Sequence, residues 1–238
     1  MVTRKLKPLL VSVAPRSIAA YGRARSFVSR VVHPGAFMED TFAPIYRDNL
    51  WGDEESASGP GSSLRETARL RNELPALLNE LGTKSILDAP CGDFNWLSKT
   101  ELPVERYIGV DVVPALVAQN EKLYGDEQRQ FLIRDITKAK LPTVDVILCR
   151  DCFIHFSYKH IAATIKNFKR SKSKYLLTNT HVRWSQNHDI RTGAFRPVNL
   201  QLPPFNFPPP LTFISEKDPE QEARYFGKRL GLWDLADL

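Results

Sequence analysis

Three short apolar runs in this 238-residue chain each close on an aspartate. "SIL" runs into Asp88, "RYIGV" into Asp111 and "QFLIR" into Asp135, and a fourth run, "VDVILC", closes on Arg150-Asp151. The first three acids lie 23 and then 24 residues apart, a spacing that suits one strand and its crossover helix. The runs are apolar throughout rather than alternating, as expected of strands in a parallel sheet covered on both faces. Right-handed crossovers bring the C-terminal ends of such strands to one edge, where open α/β sheets bind ligands. The acids are therefore expected along a single rim.

A ligand with a cationic end, a ribose and an adenine would use such a row. One carboxylate attracts an ammonium, a second accepts both ribose hydroxyls, and a third accepts from the adenine amino group. Charge-assisted hydrogen bonds of this kind contribute roughly 1.5–3 kcal/mol each. Gly92, in the turn after Asp88, lets backbone approach a ligand with no Cβ in the way.

Helical patterns fill the gaps. Leu64, Leu70, Leu74, Leu77, Leu78 and Leu81 recur on one face, with Ser63 and Glu66 at capping-box spacing and Gly82 as a stop. "FNWLSKTEL" predicts a short helix or turn, and helices are expected over Pro114 to about Tyr124 and over 158–170. "KYLLTNTHV" reads as a fifth strand. Residues 39–66 read as loop-rich, and 182–215 as irregular structure with one or two β segments and a lid. The tail from Glu220 reads as a helical start and a packed apolar end. The expected division is a basic arm over 1–38 and one domain over 39–238. Within the domain, 39–82 would form a capping segment and first helix, 83–181 the binding core, and 182–238 the C-terminal strands and lid.

With 42% hydrophobic and 25% charged residues, the chain has material for a full core. No run of about 18 uncharged apolar residues occurs to span a membrane. The net charge of +6 belongs to the arm: residues 1–38 hold seven lysines and arginines and no acid, leaving 26 cations against 27 acids elsewhere. That balance argues against a nucleic-acid binder, and "KNFKRSKSK" at 166–174 reads as a solvated face. The arm reads as a poorly ordered leader, with weak membrane-surface contact as the functional alternative; its apolar stretch ends too early, at Pro15, for a secretory signal. Three cysteines, Cys91, Cys149 and Cys152, suit a reducing, cytoplasmic setting. The lone Cys149-x-x-Cys152 lacks the further ligands a zinc site needs.

"LDAPCGD", "YIGVDVVPALV" and "FLIRDITKAKLPTVDVILCRDCFIHF" together resemble the class I S-adenosylmethionine-dependent methyltransferase superfamily over residues 84–181. The resemblance implies a three-layer α/β sandwich with a mostly parallel, Rossmann-like sheet of about seven strands, and S-adenosylmethionine as cofactor. It places Asp88, Cys91, Gly92 and Asp93 in the loop beside the methionine moiety. Asp111 and Val112 would lie at the ribose, Asp135 and Ile136 around the adenine, and Arg150 nearby. Asp151 to His155 would stand at the methyl-transfer mouth. The superfamily loop carries three alternating glycines, whereas here Pro90 and Phe94 take the outer positions. Proline cannot adopt positive φ, so a different loop path is expected. A dinucleotide-binding unit would want G-x-G-x-x-G and a turn without Asp93, which would repel a pyrophosphate.

His155 is the first candidate for a general base, since imidazole titrates near neutrality; a hydrogen-bonded loop histidine is the plainer alternative. Asp151 could act similarly, bind substrate or pair with Arg150. His181 is a weaker candidate. "SGPGSS" at 58–63 could close over the cofactor or bind an anion, or form an ordinary turn. Trp51 and Trp96 either line the site or fill space, and core packing is the favoured reading. "LPPFNFPPP" at 202–210 follows the fifth strand, not the fourth where base methylases carry their Pro-Pro-aromatic motif, which counts against DNA base methylation. The expected activity is methyl transfer to a small or medium acceptor, probed first as O-methylation of a metabolite, sugar or glycan-like molecule. A catalytically silent binding module and, behind it, an RNA or DNA methyltransferase are the alternatives. Oligomeric state is not legible.

Overall fold

The five apolar runs form the parallel strands β1 (Ser85–Asp88), β2 (Arg106–Asp111), β3 (Arg129–Ile133), β4 (Val146–Cys149) and β5 (Tyr175–His181) of a computed structural model. The structure describes residues 38–217, 222–223 and 225–238. Two more strands, β6 (Thr212–Ser215) and β7 (Lys228–Asp234), complete a seven-stranded sheet of order β3-β2-β1-β4-β5-β7-β6. β7 runs antiparallel to both β5 and β6. Four helices accompany the sheet among the described residues: α1 (Met38–Arg47), α2 (Ala68–Glu80), α3 (Pro114–Tyr124) and α4 (Tyr158–Arg170).

The runs of β1, β2, β4 and β5 are continuous because both sheet faces are covered. β3, at the sheet edge, departs from that expectation, burying only Phe131 and leaving Ile133 exposed. Successive side chains of a strand point to opposite faces. Ile86, Val146, Leu148 and Leu177 pack with Leu70, Leu74 and Leu78 of α2 and Val117 of α3. Their neighbours Leu87, Ile147, Cys149 and Leu176 pack with Ile161 and Phe168 of α4. The three-layer sandwich and its strand number agree with expectation.

Three elements differ. The stretch from residue 39 opens with α1, whose Met38, Thr41 and Ile45 are buried despite an interior Pro44; the expected boundary after residue 38 falls inside it, and the rest of the basic arm lies outside the described residues. The helix expected from Ser63 begins at Ala68. Ser63 instead holds the preceding turn, its Oγ accepting from the Glu66 N–H at 3.4 Å and its carbonyl from the Thr67 N–H at 3.1 Å. "FNWLSKTEL" forms a 3-10 turn at Leu97–Lys99, within the short helix or turn expected. The C-terminal tail is the strand β7, between β5 and β6, with Leu230 and Leu232 on one face and Trp233 on the other. No helix among the described residues is long and apolar enough to cross a membrane.

Candidate active site

The strand order reverses between β1 and β4, so the loops leaving these strands separate and open a crevice at their C-terminal ends. A cavity of about 680 Å³ occupies it, within the roughly 300–1,000 Å³ of small-molecule sites. Asp88 and Asp111 line it from the last positions of β1 and β2, and Asp135 and Asp151 from two residues beyond β3 and β4. The row of acids on one rim is therefore present. Cys91, Gly92, Val112, Ile136, Arg150 and His155 also line the cavity.

The loop after β1 runs through Pro90, Gly92 and Phe94. The Ala89–Pro90 bond is cis, and Gly92 and Phe94 take φ of 53° and 57°. Phe94 thus adopts the left-handed conformation where the superfamily carries a glycine, at a cost of about 1–3 kcal/mol. Its buried ring packs 4.9, 5.1 and 5.2 Å from Tyr107, Tyr124 and Phe131, contacts that offset the strain. The Cys91 N–H donates to the Val110 carbonyl at 2.9 Å, tying the loop to β2.

Two carboxylates give the cavity its electrostatic character. Asp88 accepts from the Tyr107 hydroxyl at 2.7 Å. Burial still pushes it up to about 7, Tyr107 and Arg150 pulling it down and Asp111 raising it further. Burial likewise pushes Asp111 up to about 6, against the N–H groups of Val113 and Gly92 at 3.1 and 3.3 Å. Both negative charges are under-compensated by the protein, so the residues present fit a cofactor that brings positive charge. Asp135 is turned inward on its own loop, accepting from the Thr137 N–H and hydroxyl at 2.9 and 2.6 Å.

Asp93 is a correction. It does not line the cavity; its carboxylate accepts from the hydroxyls of Ser56 and Ser58 at 2.8 and 3.0 Å, and its N–H donates to Ser58 Oγ at 2.9 Å. The "SGPGSS" segment is thereby latched onto the loop after β1 and closes one side of the cavity. Glycine is required at two contacts of this cover. A Cβ on Gly92 would lie 2.2 Å from Ser58 Oγ, and one on Gly61 2.9 Å from Asp151 Oδ2.

At the end of β4 lies a buried charge network. Arg150 donates to Glu216 at 2.7 Å and to the Gly61 carbonyl at 2.8 Å, with its guanidinium 5.4 Å from the Trp96 ring centroid. Lys228 reaches Asp151 at 2.6 Å and Glu216 at 3.4 Å. Asp151 takes φ of 51°, and its N–H donates to Asn179 Oδ1 at 2.6 Å. Burial alone would raise the Asp151 carboxyl, but Arg150 and Lys228 hold it well below the usual range. A carboxylate held so is a poor proton acceptor, and the geometry favours pairing over base catalysis for Asp151.

His155 is differently placed. Its Nδ1 lies 2.9 Å from the Ala194 carbonyl, which can only accept, so Nδ1 carries the proton and Nε2 the lone pair. Burial lowers its pKa, opposed by the Ala194 bond and Asp151, which keeps the ring neutral near pH 7. Trp51 stacks at 5.2 Å and Phe195 lies at 5.8 Å, so Trp51 belongs to the site. Arg196, fully buried, clamps the turn bearing His155 by donating to the carbonyls of Phe153 and Phe156 at 2.5 and 2.8 Å.

His181 is not brought to the cavity. It is buried at the end of β5 against Val198, with Nδ1 3.2 Å from that residue's carbonyl, and burial, then Lys228, pushes it down to about 4. Its part is to pin the C-terminal segment to the sheet. Cys149 and Cys152 are buried free thiols, and Cys152 lines the cavity. Phe42 and Tyr46 of α1, Phe195, Arg196, Glu216 and Lys228 were not singled out by sequence. Only the Met38, Phe42 and Ile45 spacing offered a signal, and Pro44 obscured it.

No protein-family model and no curated protein matches the sequence. Similar solved structures include ChlM, a magnesium protoporphyrin IX methyltransferase from Synechocystis with bound SAH, at 16% identity and TM-score 0.45, with 61% of this chain and 71% of that chain covered. The methyltransferase domain of bacterial Hen1 is similar at 15% identity and TM-score 0.44, covering 50% and 68%. The N-methyltransferase NodS from Bradyrhizobium japonicum is similar at 14% identity and TM-score 0.37, covering 47% and 68%.

Proposed function

We propose that the protein is a class I methyltransferase that uses S-adenosylmethionine to methylate a hydroxyl of a small or medium metabolite. The observation that carries this is the pair of under-compensated carboxylates, Asp88 and Asp111, lining one cavity together with His155, whose Nδ1 is taken up by the Ala194 carbonyl. S-adenosylmethionine, when bound, supplies a methyl group activated by its sulfonium charge. Asp88 and the loop through Cys91 and Gly92 would hold the ammonium end, Asp111 and Val112 the ribose, and Asp135 and Ile136 the adenine.

The chain's own contribution is chiefly alignment, which is worth roughly 7–11 kcal/mol when reacting groups are held in near-attack geometry. His155 Nε2 accepts the acceptor's proton, a step worth about 10²–10⁴-fold. The cover of residues 52–63 and the aromatic side chains of α1 exclude water. Calorimetry tests the reading: micromolar binding of S-adenosylmethionine that Asp111→Ala abolishes is expected. Absence of binding by the intact protein would leave a silent binding module instead.

A further inference from the structure

We infer that the acceptor half of the cavity is built for an uncharged aromatic ring bearing a hydroxyl, a phenol, whose oxygen meets His155 Nε2. The inference rests on the methyl-transfer reading and names the substrate class of that same site. A connected series of rings lines this half. Phe156 lies 5.9 Å from Phe42, Phe42 6.5 Å from Trp51, Trp51 5.2 Å from His155, and His155 5.8 Å from Phe195, all of them on the cavity wall. Such a wall rewards a flat apolar body by offset stacking and edge-to-face contact.

The buried charges of this half are matched within the protein, and the exposed Arg65 on its wall stands 3.3 Å from Glu66. Asp151 is paired with Lys228 and Arg150, Arg150 with Glu216, and Glu66 with Lys217. A charged acceptor seated against the buried wall, beside His155, would have to break into one of these pairs, leaving a buried partner uncompensated. An uncharged acceptor leaves them intact.

The proton acceptor narrows the class further. The Ala194 carbonyl fixes His155 with one lone pair, on Nε2, and its burial makes it a weaker base than free imidazole. A phenolic hydroxyl, with a pKa of about 10 as in tyrosine, lies within a few units of such a base. A sugar hydroxyl, closer to water at about 15.7, does not. The phenol oxygen forms the bond to the methyl carbon, the carbon–sulfur electron pair stays on sulfur as a thioether, and the hydroxyl proton passes to His155 Nε2 and then to solvent. Among the metabolite or sugar acceptors expected from the sequence, one bearing an aryl hydroxyl fits this base.

The test begins with S-adenosylhomocysteine binding to the intact protein by calorimetry; no binding overturns the methyl-transfer reading and this inference with it. The loaded protein is then titrated with phenol, catechol, 2-naphthol, 4-hydroxybenzoate, benzylamine and methyl glucoside, and methyl incorporation is measured on each. The three uncharged phenols are expected to bind at least ten-fold tighter than the glucoside, benzylamine or the benzoate, and to be the compounds methylated. Trp51→Leu should weaken phenol binding about ten-fold with S-adenosylhomocysteine binding unchanged, and His155→Gln should lower kcat at least 100-fold with S-adenosylhomocysteine binding unchanged. Bound cofactor product together with preference for the sugar, the amine or the carboxylate, or no preference for aromatic compounds, overturns the acceptor class while methyl transfer stands.

Discussion

Asp88 ends a strand buried on both faces, and a single phenolic hydroxyl bonds its carboxylate. Burial raises it to about 7, and Asp111 to about 6, from ordinary values near 4. A carboxyl whose folded pKa lies above its unfolded one stabilises the fold at low pH, and that contribution is lost as pH rises through the folded value. Stability of the protein without cofactor should therefore fall between about pH 4 and pH 7, by on the order of a few kcal/mol. Asp88→Asn should flatten that part of the profile, read by urea unfolding at a series of pH values. Cofactor binding runs the opposite way, because the ammonium needs the ionised acid: affinity should weaken as pH drops below about 7. His155 gives a second profile. Burial, with Arg196 and Lys228, lowers its pKa against the pull of the Ala194 carbonyl and Asp151. The base must be unprotonated, so the acid limb of kcat should lie below the ordinary histidine value of about 6.5; a limb above it would contradict the assignment.

At the scale of elements, α4 shows how sequence signals become packing. Ser157 caps it by accepting from the His160 N–H at 3.4 Å, Lys169 and Arg170 lie in its last turn, and Phe168 is fully buried against the sheet. Phe168→Ala should cost about 3–5 kcal/mol through lost burial and the cavity left behind, measurable by thermal or denaturant unfolding. The cover over the site depends instead on a side chain. Asp93→Ala removes the acceptor of the Ser56 and Ser58 hydroxyls, bonds worth roughly 1.5–3 kcal/mol each to a charged group. Stopped-flow release of S-adenosylhomocysteine should accelerate about ten-fold or more; an unchanged rate would mean the cover does not gate exit. The parallel strands and α3 and α4 were legible because period and length agreed. α1 was not, because Pro44 and short loops hid one apolar face. β7 was legible as a packed apolar end but not as the strand between β5 and β6, since its pairing partners lie far along the chain.

The whole molecule meets at Glu216. It lies just past β6, yet it accepts from Arg150 after β4 and Asn179 on β5 and stands 3.4 Å from Lys228 on β7. Four strands distant in sequence are thus locked beside the cavity by one carboxylate. Glu216→Ala should destabilise the fold by about 3–5 kcal/mol, since Arg150 and Lys228 would remain buried without it. Glu216→Gln, which keeps the Asn179 and Arg150 contacts geometrically, should cost less; equal losses for both would show that charge, not hydrogen bonding, holds the network.

Periodicity and spacing in the sequence were enough to determine the parallel sheet, its buried central strands and the rim bearing Asp88, Asp111, Asp135 and Asp151, though not the half-exposed edge strand β3. These are local properties, set by side chains within one strand–helix unit. Which carboxylates face the cavity was decided only by tertiary structure. Asp93 turns to the serines of a cover 35 residues upstream, Asp151 is neutralised by Lys228 from 77 residues downstream, and His181 is buried by Val198 while His155 is oriented by Ala194. Charge and proton affinity depend on burial and partners, and partners brought together by folding leave no mark in a single stretch of chain.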